Sequence, residues 1–417
     1  MLDLNFIREN SKLIQKAAKD KNIDINVEHI LEIDKKYKAL SLTVQKLREE
    51  RNILTSSIKG KPTSTQIKKG KILKEKLEKE EHALKAVWEE LKEKLYQIPN
   101  LAKKDVKVGK DESENEIVRK YKTPTKFDFT PKDHLELGEL LDIIDVKNAA
   151  KVSGTRFAYL KNEGALLEFA LINLALDFLT KEGFIPIVPP VLINKDITRG
   201  LGYWHGGGNE EYYLVGEPVE KKEFYLIGTA EHSIVPMHKD EVLQSRILPL
   251  RYVGFSSAFR REAGTYGKDT RGILRVHQFD KVEMVSFVTE DQDDKEHDYL
   301  LSLEEKLFQL LDIPYQVIKM CTGDLGFPTA RKYDIEAWIP SQKKYREVTS
   351  TSTTTDFQAR RLNIKYSEEQ NQKKYAHILN GTAFAIGRTI ISILENYQQE
   401  DGSVLIPKIL QKYLHFE

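Results

Sequence analysis

Ile30-Leu31-Glu32-Ile33-Asp34-Lys35-Lys36-Tyr37-Lys38-Ala39-Leu40 opens a run whose apolar side chains fall at Ile30, Ile33, Tyr37, Leu40, Val44, Leu47, Leu54 and Ile58. The steps alternate three and four residues with one gap, at Arg51, which is the heptad seam along which two helices bury each other. Gly60-Lys61-Pro62-Thr63-Ser64-Thr65 breaks the pattern, because proline and glycine end helices and make turns. A second seam follows through Leu73, Leu77, Leu84, Val87, Leu91, Leu95 and Ile98, until Pro99-Asn100 stops it. The spacing predicts an antiparallel helical hairpin. Its coiled coil covers about residues 30–98 and is roughly 50 Å long, at about 1.5 Å of rise per residue.

The hairpin's charge is lopsided. From residue 35 to residue 74, twelve Lys and Arg meet only Glu49 and Glu50, a net of +10. Such a run fits either a solvated coiled-coil surface or a footprint for a phosphate backbone, whose counterions lysines displace. The hairpin alone does not decide between them. The whole chain has 417 residues, 31% charged and 40% hydrophobic, with a net charge of +1. That is the balance of a globular protein, in which any nucleic-acid partner must be met by a local basic patch. Cys321 is the single cysteine, which excludes an internal disulfide framework and a cysteine-rich zinc site. Met1-Leu2-Asp3-Leu4-Asn5 lacks the basic start and apolar run of a signal peptide. No apolar stretch approaches the roughly 20 residues of a membrane span. The expected location is the cytoplasm, with no membrane partner.

Two domains are expected, a helical arm at 1–105 and an α+β domain at 106–417. Residues 105 to 123 read as a polar linker. After it, a broad apolar face at 163–181 predicts a long helix. Strand-like runs follow at 224–227, 251–255, 272–287, 315–320 and 346–351, close enough together to predict an antiparallel sheet. The β-branched tract at 349–355 fits a strand. Tyr203-Trp204-His205-Gly206-Gly207-Gly208-Asn209 reads as a loop rather than a phosphate cradle. His205 and His277 read as structural or as supports behind a site, since nothing near either suggests proton transfer or a metal.

Three segments carry chemistry. Gly183-Phe184-Ile185-Pro186-Ile187-Val188-Pro189-Pro190 follows the long helix. Phe259-Arg260-Arg261-Glu262 and Arg275-Val276-His277-Gln278-Phe279 read as two strands joined by a polar loop. Asn380-Gly381-Thr382-Ala383-Phe384-Ala385-Ile386-Gly387-Arg388 opens a helical run. An arginine in the second segment can hold an anionic oxygen pair with its planar fork, and Phe279 offers a flat aromatic face. Small residues in the third allow close approach to the backbone. In this order the segments resemble motifs 1, 2 and 3 of the class II aminoacyl-tRNA synthetases. That resemblance implies a catalytic domain built on an antiparallel sheet, with an N-terminal antiparallel coiled-coil arm and a dimer interface at motif 1.

The text between the motifs narrows the class. Ser153-Gly154-Thr155-Arg156-Phe157, Gly228-Thr229-Ala230-Glu231 and His277-Gln278-Phe279-Asp280-Lys281-Val282-Glu283 resemble seryl-tRNA synthetase. So do Cys321-Thr322-Gly323-Asp324-Leu325-Gly326, Thr355-Asp356-Phe357-Gln358-Ala359-Arg360-Arg361 and the hairpin itself. The resemblance implies a homodimeric ligase that activates L-serine with ATP and Mg²⁺, without zinc, and charges tRNA(Ser). Whether tRNA(Sec) is also charged stays open.

Carried onto this sequence, the resemblance implies that serine is held by Thr229, Ala230, Glu231, Arg260, Glu283 and Thr382. ATP would meet Arg260, Arg261, Glu262, Arg275, Val276, Phe279, Glu347, Val348, Thr349, Ser350 and Arg388, with Glu347 and Ser350 as metal ligands. Arg260, Glu347 and Arg388 would carry catalysis, Arg388 by reaching the γ-phosphate or covering adenine. tRNA would meet Arg48, Arg51, Lys59, Lys61, Lys68, Lys69 and Lys71, and a dimer would let one subunit's arm serve the other's site. Where the family commonly shows Cys, Asn and Cys after the metal-binding glutamate, this chain has Thr351, Thr353 and Thr354. That departure touches fine geometry more than function. A threonine or proline enzyme would be expected to carry a C-terminal anticodon-binding domain, for which residues 389–417 leave no room. A paralogue that does not charge tRNA would be expected to lose the basic arm or a motif arginine.

Overall fold

The computed structural model describes residues 2–203, 211–215, 223–262, 271–368 and 372–414, so most of the glycine loop (Trp204 to Asn209) and the motif 2 loop at 263–270 lie outside it. The chain divides into two compact units, Met1–Pro99 and Asn100–Glu417.

The first unit is helical. Short helices α1 (Leu4–Glu9) and α2 (Ser11–Asp20) precede two long ones, α3 (Val27–Ser56) and α4 (Ser64–Tyr96). Asn26 caps α3 by accepting from the His29 amide. Thr63 and Gln66 form a reciprocal capping box that starts α4 directly after Pro62. The two helices run antiparallel, and Val44, Leu47 and Leu77 form the buried strip between them. Tyr37 and Trp88 meet across the seam with ring centroids 5.1 Å apart, and Arg48 pairs with Glu81 at 2.7 Å. Toward the turn the seam thins, with Leu54 and Ile58 only half-buried.

The second unit is organised by an eight-stranded sheet. Its strands are β1 (Glu116–Tyr121), β2 (Ile185–Ile187), β3 (Leu250–Phe259), β4 (Gln278–Val288), β5 (Tyr315–Lys319), β6 (Arg331–Ile339), β7 (Lys344–Thr353) and β8 (His377–Ala385). They lie in the order β1-β5-β6-β7-β8-β4-β3-β2, antiparallel throughout except for the β2–β3 pair. Helices α5 (Asn162–Lys181), α6 (Asp293–Leu310) and α7 (Ile386–Tyr397) supply much of the core beside it. Helix α6 lies against one face, where Glu304 accepts from the Thr349 hydroxyl at 2.7 Å and Phe308 meets Phe384 at 5.8 Å. The opposite face carries the site.

Four readings of the sequence change. The segment from Asn380, expected to open a helical run, is strand β8 as far as Ala385, and the helix starts only at Ile386. Part of the expected linker is β1, paired along the sheet edge with β5. The run at 272–287 becomes strand only from Gln278, after a turn in which Gly272 has φ of 68°. The central strand β6 was not read as a strand at all. Among the described residues, no helix is long and apolar enough to cross a membrane.

Candidate active site

Side chains on a strand alternate between faces, so residues two apart look the same way. Lys281 and Glu283 on β4, Asn380 and Thr382 on β8, and Ser350 and Ser352 on β7 all line one cavity by this rule. Thr382 stands opposite Glu283 and donates its hydroxyl to Glu283 Oε2 at 3.2 Å. Asn380 stands opposite Ser352, whose hydroxyl donates to Asn380 Oδ1 at 3.0 Å. Between Thr349 and Glu347 the register slips by one residue against β6. This bulge at Val348 lets Glu347 and Val348 both join the cavity wall.

Arg260 follows the end of β3. Its amide donates to the His277 carbonyl at 3.0 Å and His277 Nδ1 lies 3.1 Å from the Arg260 carbonyl, so the backbone at this arginine is held from two sides. His277 thus supports the Arg260 backbone and does not itself line the cavity. The Arg260 side chain donates to the Gly228 carbonyl at 3.1 Å and places its guanidinium 5.4 Å from the centre of the Phe279 ring. One face of Phe279 therefore meets Arg260 rather than open cavity. Arg275 pairs with Glu262 at 3.2 Å and Arg388 with Glu347 at 3.0 Å. Partial desolvation works against the Glu347 carboxylate, whose side chain is 44% exposed, but Arg388 and Lys332 outweigh it and hold Glu347 well below the usual range.

Deeper in the cavity the carboxylates crowd. Glu231 accepts from Gln358 Nε2 at 2.8 Å and from the Tyr203 hydroxyl at 2.9 Å. Burial, opposed by the Gln358 bond and reinforced by nearby Glu283, lifts Glu231 to about 7. Burial, with Arg260 and Lys281 adding to it, keeps His232 neutral far below its ordinary range. Two polar atoms there are buried without a hydrogen-bond partner, Thr229 Oγ1 and Asn380 Nδ2. Buried orphans of this kind cost free energy unless something else meets them, and both belong to residues that line the cavity.

The sequence-predicted residues thus converge, with two exceptions. Ala230 is fully buried and off the cavity wall, and Arg261 is exposed and likewise off it. Tyr203, Tyr212, Lys281, Lys332, Ser352 and Asn380 also line the cavity and were assigned no role from sequence. Strand alternation from Glu283, Ser350 and Thr382 could have found three of them. The departing threonines are all buried and satisfied: Thr351 donates to the Asn380 carbonyl at 2.8 Å, Thr353 to Asp293 at 2.5 Å and Thr354 to the Ile378 carbonyl at 3.0 Å. Among the described residues no group of three or more His, Cys, Asp or Glu could hold a metal. An oxygen pair such as Glu347 and Ser350 suits Mg²⁺, which is usually bound through one or two carboxylates together with substrate phosphates.

On the arm, all seven predicted basic residues are exposed and sit near the turn. Beside the motif 1 strand, Phe169 on α5 is 60% exposed and Val188 83%, with Leu166, Ile185 and Leu192 also uncovered.

Two family models match the chain. These are the tRNA synthetase class II core domain (G, H, P, S and T), over residues 213–397, and the seryl-tRNA synthetase N-terminal domain, over residues 1–102. The chain is similar to a serine–tRNA ligase of Dictyoglomus thermophilum, 46% identical over 99% of this chain and 98% of that protein. Among solved structures, a seryl-tRNA synthetase from Pyrococcus horikoshii complexed with ATP superposes with a TM-score of 0.91 at 38% identity, covering 100% of this chain and 99% of that one. A cytoplasmic serine–tRNA ligase from Naegleria fowleri in complex with AMP gives 0.87 at 31% identity, over 99% and 97%.

Proposed function

The chain belongs to the seryl-tRNA synthetase family, and from that premise we propose how its residues divide the work. The enzyme activates serine with ATP and transfers the seryl group to tRNA. The observation that supports the residue assignment best is the paired Glu283 and Thr382 on the same cavity wall as Arg260, Glu347 and Arg388.

Serine enters with its ammonium toward Thr229 and Glu231 and its hydroxyl against Glu283 and Thr382. Its carboxylate, already ionised at neutral pH, needs no general base. A carboxylate oxygen attacks the α-phosphorus, the bond to the bridging oxygen breaks and pyrophosphate leaves. Arg260 touches both the carboxylate and the α-phosphate, so it aligns the attack and offsets charge as it develops. Arg275 and Arg388 exchange their carboxylate partners for the outer phosphates. Glu347 and Ser350 would hold Mg²⁺, which when bound offsets phosphate charge. A hydroxyl of tRNA then attacks the seryl carbonyl and AMP leaves. Alanine lacks the group that Glu283 and Thr382 expect, and leaving such buried groups unpaired discriminates by about 10⁴ in favourable cases.

The arm at 1–105 takes the tRNA through Arg48, Arg51, Lys59, Lys61, Lys68, Lys69 and Lys71, and residues 106–417 carry catalysis. Serine tRNAs differ in anticodon, so a shared shape read through the backbone serves better than base readout. The uncovered apolar surface around Phe169 and Val188 is the homodimer interface, and the site of action is the cytoplasm. Pyrophosphate exchange measured against all 20 amino acids tests the reading. Exchange with serine far above that with any other amino acid is expected, and faster exchange with threonine or proline would overturn it.

A further inference from the structure

Lys281 has no role in the scheme above, yet it lies at its centre. It sits two residues before Glu283 on β4, so both side chains enter the cavity from one face of the strand. Lys281 Nζ lies 2.5 Å from Glu283 Oε2, with the two side chains 8% and 2% exposed. The Thr382 hydroxyl donates to the same oxygen, so Lys281 and Thr382 together saturate Oε2 and leave Oε1 as the acceptor toward the cavity. Opposite Glu283 on β3 stands Gly254, which offers no side chain to hold the carboxylate from that side.

The surroundings are acidic, and they oppose the burial and the nearby Arg260 that pull the Lys281 ammonium below its ordinary range. Glu231 and Glu304 both act on Lys281 and Glu283 from neighbouring elements, and both are buried. Among the described residues, Lys281 is the one cation within ion-pair distance of Glu283. Arg260 is the other cation nearby, and its side chain is engaged with the Gly228 carbonyl. A buried carboxylate stripped of its counter-ion is strongly disfavoured. Freed of Lys281, the Glu283 carboxylate would swing toward water, which withdraws the acceptor from a substrate hydroxyl.

We propose that Lys281 is a positioning residue for serine selection: it clamps one oxygen of Glu283 so that the other meets the side-chain hydroxyl of the amino acid. Lys281 acts through Glu283 and touches no reacting atom. It therefore governs the Michaelis constant for serine and the preference over alanine, and leaves that for ATP alone. The inference rests on the hydroxyl-acceptor role given to Glu283, and a double-mutant cycle separates the two.

The experiment measures serine-, alanine- and ATP-dependent pyrophosphate exchange in Glu283→Gln, Lys281→Met, Lys281→Arg and the Lys281→Met/Glu283→Gln double variant of the full chain. Lys281→Met should raise KM for serine at least about tenfold and narrow the serine-to-alanine ratio, with KM for ATP unchanged. Lys281→Arg should recover part of the loss. In the Glu283→Gln background the same Lys281→Met change should cost little more, because its target is already gone. If Lys281→Met does not fold, the double variant, which buries no unpaired charge, still reports by comparison with Glu283→Gln, and Lys281→Arg against the unaltered enzyme. An unchanged KM in Lys281→Met overturns the inference, and so does an equal penalty in both backgrounds. A Glu283→Gln enzyme with normal serine selection overturns the Glu283 reading itself.

Discussion

Lysine and arginine work under opposite rules in the two units. On the arm the seven basic residues near the turn stand in water, and only Arg48 is in an ion pair among the described residues. In the cavity Arg275, Arg388 and Lys281 are each held by a carboxylate, through Glu262, Glu347 and Glu283. Exposed charges are screened by salt, and each contributes a small, replaceable share to holding a polyanion. Enclosed ones are fixed in place and act as a set, so losing one disables its neighbours. The same residue type is thus a quantity on the arm and a geometry in the cavity.

The comparison is tested hardest at Arg260. Arg260→Ala should lower serine-dependent pyrophosphate exchange by about 10³-fold while the protein stays folded and still binds tRNA. Near-normal exchange would erase the contrast. Replacing residues 33–97 by a short linker should do the reverse, sparing pyrophosphate exchange but costing tRNA charging about 100-fold through lost phosphate contacts. A truncated enzyme that charges tRNA at the full rate would remove the arm from the scheme.

A third test uses Glu231, whose carboxyl is raised to about 7. Because serine's ammonium needs the ionised form, KM for serine should rise as pH falls through 7, reaching about tenfold by pH 6. The sign for stability is opposite. Between the ordinary value and about 7 the folded state holds the extra proton, so Glu231 favours folding at low pH and loses that contribution as pH rises through 7. A KM for serine that is flat from pH 6 to 8.5 would separate Glu231 from the ammonium. The smallest effect belongs to the arm. Neutralising any one of Lys59, Lys61, Lys68, Lys69 or Lys71 should weaken tRNA binding only a few-fold and lower the salt slope by about one. A single substitution that abolished binding would make the arm behave like the cavity.

The arm was legible almost residue by residue, because a seam of period 3.5 depends on nothing distant: every predicted seam residue is at least half-buried. The sheet was read less well where its charges are internal. β6 carries Arg331 and Asp334, both buried: Arg331 finds its partners far off in sequence, at Asp105, Asp294 and His297, while Asp334 pairs with Lys332 on the same strand, so buried polar residues disguise the alternation of a strand. β1 escaped for a different reason: it is an exposed edge strand, Glu116–Tyr121, with scarcely any apolar face to show. In the candidate site, Arg260, Glu283 and Thr382 were found through the motif resemblance, whereas Lys281 looks from sequence like one more surface lysine. Its burial depends on β8 and on the helix at Glu231–Ile234, and neither is local to it.

The cavity wall is written in every second residue of three neighbouring strands. Thr351 and Thr353 on β7 point to the other side, where their hydroxyls are bonded to the Asn380 carbonyl and to Asp293. Strand length decides which side a residue faces. One residue inserted between Phe279 and Glu283 would turn Glu283, or both Glu283 and Lys281 relative to β8, toward the α6 side of the sheet, because a single step reverses every side chain beyond it. Lineages descending from this sequence are therefore not free to count the strands β4, β7 and β8 differently, and insertions that persist belong in the turns.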